Sequence, residues 1–184
     1  LVNCLTKPSI SLEAAIFIHS FMKLSIYIYI HIYMIICIVG VTGLVGKKIA
    51  LLLEKRKFKI NNFIPIASEG SYGKIFKFYN NDYKIQTLET LEKSEIFTTE
   101  NSMNTIVFFA SSTEISQIWV PRLLKYNKSN IKIIDNSSFF RLNKTVPLII
   151  PEINSIEINN ETRLIANPNC STAQLVMVLY PLHI

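Results

Sequence analysis

Cysteine is scarce in this 184-residue chain, and Cys4, Cys37 and Cys170 stand far apart with no C-x-x-C pair. That spacing excludes a disulfide framework and a zinc cluster, and it points to a reducing, cytoplasmic setting. His19, His31 and His183 are as dispersed and make no metal set with any carboxylate pair. Charge is thin as well. Asp, Glu, Lys and Arg are 17% of the residues against 49% hydrophobic, so the chain can bury enough apolar surface to offset its ordering entropy. A disordered tail is excluded. The 19 basic and 13 acidic residues leave a net charge of +6, but the cations are scattered. No basic stripe interleaved with aromatics is present to hold a nucleic acid. The densest run, Lys55 to Lys59, falls where a helix is expected to end and where cations complement its dipole. At roughly 150 residues per domain, the length allows one compact core and not two.

Glycine is scarce too, and its placement is the first functional signal, because all five glycines fall between positions 40 and 73. Met34-Ile35-Ile36-Cys37-Ile38-Val39 reads as a short buried strand. It leads into Gly40-Val41-Thr42-Gly43-Leu44-Val45-Gly46, and then into a helical pattern with Val45, Ile49, Leu52 and Leu53 at three- and four-residue spacing. A strand, a glycine turn and a helix in that order fit a dinucleotide site. Gly40 permits the tight turn, Gly43 lets backbone N–H groups approach a pyrophosphate, and Gly46 lets the helix pack closely on the strand. A second strand, Phe63 to Ala67, ends about twenty residues on, where such a unit meets the adenosine ribose. Ser68 and Glu69 lie there. The acidic residue suggests NAD, whereas a hydroxyl beside Gly70-Ser71-Tyr72-Gly73-Lys74 could receive a 2′-phosphate, and both readings stay open.

Further strands are expected at Thr105–Ala110 and Ile131–Asp135. The first is followed by the cap Ser111-Ser112-Thr113-Glu114 and a helix from about Ile115 to Tyr126, the second by Asn136-Ser137-Ser138. This alternation predicts a parallel α/β sheet with its ligand beyond the carboxyl ends of the strands, where Gly40, Ser111 and Asn136 fall. After a last strand, Arg163 to Ala166, Cys170 opens an apolar helix expected to stop at Pro181. A cysteine at a helix N-terminus is a credible nucleophile, because unpaired N–H groups favour its thiolate; a buried structural cysteine is the plainer alternative. Arg141 can grip a phosphate or carboxylate with its fork of donors, or serve in an ordinary salt bridge.

The opening of the chain differs from the rest. It starts with Leu1 rather than Met, and the text from Phe17 to Val39 is almost wholly apolar. A membrane or signal segment is disfavoured by Lys23, two histidines and the period-two Ile-Tyr alternation. Residues 1–33 are read as an upstream extension outside the fold, with Met34 the more economical start.

Four segments together resemble the aspartate-semialdehyde dehydrogenase family: the Gly40 to Gly46 turn; Ala67 to Lys74; Ile134-Asp135-Asn136-Ser137-Ser138-Phe139-Phe140-Arg141 with Val146 to Asn154; and Ile165-Ala166-Asn167-Pro168-Asn169-Cys170-Ser171-Thr172. The resemblance runs from about Met34 to the chain end. It implies a Rossmann-like parallel sheet with helices on both faces over residues 34–166, and at 167–184 the truncated start of a second α+β catalytic and dimerisation domain. It implies Cys170 as the nucleophile, with Arg141 and Asn169 holding substrate. Gly40, Thr42, Gly43, Leu44, Val45, Gly46, Ser68, Ser71, Ser111 and Asn136 are the implied cofactor contacts. The implied reaction interconverts 4-aspartyl phosphate and aspartate 4-semialdehyde through a cysteine thioester, with NADP (NAD possible), in the biosynthesis of lysine, methionine, threonine and isoleucine. The partners implied are aspartate 4-semialdehyde and phosphate, with a homodimer for the complete chain and neither nucleic acid nor membrane. The sister N-acetyl-gamma-glutamyl-phosphate reductase usually follows its cysteine with an aromatic residue, so Cys170-Ser171 favours the aspartate enzyme. Two departures leave the cofactor open: Gly70 stands where the family usually has the arginine for a 2′-phosphate, and Ala110-Ser111-Ser112 where it usually reads Ser-Ala-Gly. The family's base histidine, its carboxylate arginine and its dimer sheet fall past Ile184, and His183 is not that base. The 184 residues alone are therefore expected to be inactive, and a dinucleotide-binding remnant is the alternative reading.

Overall fold

The computed structural model describes residues 34–98, 104–126 and 130–183. The readings of residues 1–33 lie outside that range. Met34–Val39 forms β1, six consecutive buried residues. A strand buried on both faces reads as a continuous apolar run, and here the two faces part cleanly. Ile35, Cys37 and Val39 join one core cluster, Met34, Ile36 and Ile38 the other.

Helix α1, Leu44–Lys55, follows the glycine turn and covers the second cluster with Ile49, Ala50 and Leu53. The helical apolar stripe is therefore real, with one correction: Val45 is exposed, and Gly46 takes its place among the buried positions. Strand β2, Asn62–Ile66, lies beside β1. It is followed by a hairpin of β3, Ile75–Phe78, and β4, Asn81–Lys84, whose turn holds Tyr79 and Asn80 at φ of 47° and 61°. Two consecutive left-handed residues are the mark of a type I′ turn. The hairpin is fastened to the sheet by Phe78 stacked on Phe63 at 4.0 Å between centroids, and to α1 by the Tyr79 hydroxyl, which donates to the Leu53 carbonyl at 2.8 Å.

Two short helices, α2 (Leu88–Glu92) and α3 (Glu95–Thr98), lead to β5, Asn104–Phe109. Helix α4, Thr113–Leu124, then packs Trp119, Val120 and Leu123 on the first cluster, so helices cover both faces of the sheet. Ser112 sits at its N-cap without a side-chain bond to the helix backbone, because its hydroxyl bonds the Glu114 carboxylate instead and lowers that group's pKa. Strand β6 is Ile131–Asp135, α5 is Pro151–Asn154, β7 is Leu164–Ala166 and α6 is Cys170–His183. Pro181 does not stop α6, which runs on through it. A proline there removes one backbone N–H, and the helix ends two residues later, so few further turns are exposed to its effect.

The main sheet has the order β2-β1-β5-β6-β7, and all its pairs are parallel. Its register places Ile66, Val39, Phe109, Asp135 and Ala166 in one row across the carboxyl ends of the strands. The next residue of each strand, Ala67, Gly40, Ala110, Asn136 and Asn167, begins the loop row that carries the site.

Candidate active site

That loop row is stitched together strand by strand. Gly40 and Val41 both donate their N–H to the Ile66 carbonyl, at 2.9 and 3.1 Å. Ala110 N donates to Val39 O at 2.9 Å, Asn136 N to Phe109 O at 3.0 Å, and Asn167 N to Asp135 O at 2.8 Å. Gly40 (φ +83°) lies so close to the loop after β5 that a Cβ there would stand 2.4 Å from the Ala110 carbonyl oxygen. Gly46 is under a tighter limit, since its Cβ would stand 2.3 Å from the Gly40 oxygen. The two glycines hold the start of α1 down on the turn.

At that start no side chain among the described residues caps the helix's positive end. Gly43 at the N-cap offers no side chain, and the first turn holds no carboxylate. The first N–H groups of an α-helix have no intrahelical partner, and together with the dipole they favour a phosphate. Thr42, Gly43, Leu44 and Val45 are all exposed there. Beside the turn, Ser111 Oγ is buried and has no hydrogen-bond partner among the described residues, a donor and acceptor left for something outside them. Ser68 precedes and Ser71 ends a short 3₁₀ turn, Glu69–Ser71, after β2, with Ser68 exposed and Ser71 half-buried. The cradle that no Cβ may fill, the open helix end and the orphaned hydroxyl fit a nicotinamide dinucleotide.

At the other end of the row, Arg141 reaches across two loops. Its Nε donates to the Asn167 carbonyl and its Nη2 to the Asn136 carbonyl, both at 2.9 Å. The Asn167 amide donates to Asn136 Oδ1 at 2.6 Å. A guanidinium carries five donors, so after these two bonds three remain for an anion. Asn169 caps α6: its Oδ1 accepts from Ser171 N at 2.9 Å, its carbonyl from Ala173 N at 2.9 Å. The cap leaves the Asn169 amide group for other work and sets Cys170 as the first residue of a fourteen-residue helix, exposed. Sγ stands 3.7 Å from Asn169 Oδ1 and 3.9 Å from Ser171 Oγ. Cys37 is the opposite case: it is fully buried in β1, and burial pushes its thiol far up.

Beneath the Arg141 loop lies a polar knot that the residue pattern did not single out. The fully buried Asp135 carboxylate accepts from Ser116 Oγ at 2.7 Å, Ser137 Oγ at 2.6 Å and Ser137 N at 3.2 Å. It ties the end of β6 to α4 and to the Arg141 loop. Asn167 was missed as well. An aspartate closing an apolar strand with serine two residues on is the available signal for the knot, since a carboxylate buried there must find donors. Among the described residues no three His, Cys, Asp or Glu side chains gather to hold a metal. No helix of those residues is long and apolar enough to cross a membrane.

Residues 35–161 match the family described as semialdehyde dehydrogenase, NAD binding domain. The chain belongs to the semialdehyde dehydrogenase family. Semialdehyde dehydrogenase relatives include the aspartate-semialdehyde dehydrogenase of Helicobacter pylori strain J99, 43% identical over 152 residues, which are 81% of this chain and 40% of that protein. The enzyme of the same name from Aquifex aeolicus is 36% identical over 152 residues, 80% of this chain and 41% of that one. Among solved structures, aspartate semialdehyde dehydrogenase II of Vibrio cholerae, complexed with ASA, superposes with a TM-score of 0.68 at 31% identity, covering 81% of this chain and 46% of that one. The chain thus spans about two fifths of the length of the curated semialdehyde dehydrogenases it matches.

Proposed function

We propose that this chain is the cofactor-binding and nucleophile-bearing part of an aspartate-semialdehyde dehydrogenase, a phosphorylating aldehyde oxidoreductase that forms 4-aspartyl phosphate reversibly. The observation that carries the reading is Cys170, exposed at the head of α6. Its loop shares the strand-end row with the glycine turn and is joined to Arg141 through Asn167. The dipole at the head of a long helix favours a sulfur anion and an anionic product alike. Cys170 Sγ adds to the aldehyde carbon of aspartate 4-semialdehyde. After oxidation it holds the acyl group as a thioester, until a phosphate oxygen attacks the same carbon and the thiolate leaves. The thioester retains oxidation energy that a free carboxylate would lose. A nicotinamide dinucleotide, NADP or NAD, supplies the hydride acceptance when bound at the glycine turn. Arg141 offers its remaining donors to phosphate, and Asn169 its amide to the substrate. The biosynthetic direction runs these steps in reverse and supplies lysine, methionine, threonine and isoleucine.

A second reading, a dinucleotide-binding module without turnover, is favoured by one observation: among the described residues the hydrogen-bond partners of Sγ are its two chain neighbours, Asn169 and Ser171. The test is a rate assay on the full gene product. Phosphate-dependent reduction of NADP or NAD by aspartate 4-semialdehyde, abolished in Cys170→Ala, supports the first reading. Dinucleotide binding without turnover supports the second. Turnover confined to N-acetylglutamate semialdehyde would move the chain to the sister reductase.

A further inference from the structure

The ribose end of the dinucleotide site bears on which cofactor the chain accepts. In a strand-turn-helix dinucleotide unit the residues just past the second strand meet the adenosine ribose. An acidic side chain there accepts from a free 2′-hydroxyl, and an arginine nearby accommodates a 2′-phosphate. Here β2 is locked to the glycine turn by the two bonds onto the Ile66 carbonyl, so Ala67, Ser68 and Glu69 emerge beside it. Ser71 N donates back to Ser68 O at 2.8 Å and Tyr72 N to Glu69 O at 3.0 Å, which fixes this segment as a 3₁₀ turn. Ser68 and Glu69 are exposed within it, and Glu69 lies about twenty residues past the glycines, the spacing of a ribose-binding carboxylate.

No guanidinium lies anywhere from Ala67 to Lys74. Lys74 is that stretch's one cation and Glu69 its one anion, so the stretch offers a phosphate dianion no net positive charge. Lys74 leads into the hairpin, with its N–H on Ser71 O at 3.2 Å and its carbonyl on Ile85 N at 2.8 Å. Its ammonium is a point charge without the bidentate fork that grips a phosphate. Gly70 completes the picture. A Cβ added there meets no atom within 4 Å, and its backbone is not left-handed, so neither sterics at Cβ nor backbone conformation requires glycine at this position.

Resting on the reading of the chain as a dinucleotide-using dehydrogenase, we propose that it selects the cofactor lacking a 2′-phosphate, NAD in preference to NADP, and that Glu69 determines that choice. Glu69 accepts from the ribose 2′-hydroxyl and repels a phosphate in its place. Titration calorimetry of the full gene product with NAD and with NADP tests this without turnover. The expected result is a lower Kd for NAD, a preference that shrinks in Glu69→Ala. Gly70→Arg, whose Cβ meets no atom within 4 Å, tightens NADP on the order of tenfold, the size of one charge-assisted hydrogen bond, and leaves NAD within about twofold. Tighter binding of NADP by the unaltered protein overturns the proposal, as does a Glu69→Ala variant with the preference unchanged. A Lys74→Ala variant that loses NADP affinity alone, from a protein that binds NADP as well as NAD, overturns it too and gives the 2′-phosphate to Lys74. Binding of neither dinucleotide overturns the proposal together with the reading beneath it.

Discussion

The contrast between Cys170 and Cys37 shows how one residue type takes two roles by environment alone. Cys37 is enclosed by the sheet core, and burial raises its thiol well above the ordinary value of 9.0. The unfolded chain releases that proton near pH 9 while the folded chain keeps it, so the folded state binds more protons above pH 9. The associated stability is whole below that pH and falls above it, by up to about 1.4 kcal/mol per pH unit. Urea midpoints measured between pH 8 and 10 are expected to fall more steeply in the unaltered protein than in Cys37→Ala; equal slopes would contradict the assignment. Asp135 makes a second prediction at this scale. Asp135→Ala leaves Ser116 Oγ, Ser137 Oγ and Ser137 N to find other partners in a buried site, at a cost of about 3 kcal/mol. Asp135→Asn keeps an oxygen for Ser116 and the Ser137 N–H and is expected to cost about 1 kcal/mol. Chemical denaturation of both variants checks the order. Equal losses in the two would mean that the carboxylate's charge, and not its acceptor geometry, holds the loop.

The glycine turn and α1 act as one element, and the two glycines that define it differ in what they forbid. Gly40→Ala meets both a left-handed backbone and the Ala110 carbonyl, whereas Gly46→Ala meets the Gly40 carbonyl and pushes α1 off the turn. Each is expected to destabilise by about 1–3 kcal/mol or more and to weaken dinucleotide binding beyond that loss. The discriminating comparison is Asn80→Ala, also left-handed but in the β3–β4 turn outside the dinucleotide site, which should cost stability and leave dinucleotide affinity unchanged. Equal loss of affinity in all three would dissociate the turn from the cofactor. The elements least visible in the residue pattern were also those with the weakest local signals. The β3–β4 hairpin turns on Tyr79-Asn80 rather than an Asn-Gly pair, and its strands are short and largely exposed. The exposure of Val45 is decided by how α1 packs on the turn, which a helical spacing rule does not contain, and α6 runs through Pro181 for its last two residues.

At the scale of the whole molecule, the parallel sheet was legible because each of its buried strands is a nearly unbroken apolar run ending in small or polar residues, a pattern few other arrangements produce. The row Ile66, Val39, Phe109, Asp135 and Ala166 is what that pattern cannot reveal, since register is a property of pairs of strands. The row brings Gly40, Ser111 and Asn136, far apart in the chain, to one edge of the sheet, and Arg141 and Asn167 tie the Cys170 loop to that edge. The roles of Asn167 and Asp135 are not legible in their segments because they hold other residues in place, and such roles appear only in three dimensions. The account's central claim is that Cys170 carries the acyl group. Its most direct test is to incubate the full gene product with 4-aspartyl phosphate in the absence of dinucleotide and map the product by peptide mass spectrometry. The account predicts one aspartyl group on the peptide containing Cys170, released by hydroxylamine and absent from Cys170→Ser. An unmodified Cys170 in a protein shown to bind dinucleotide, or an aspartyl group on another residue, would contradict it.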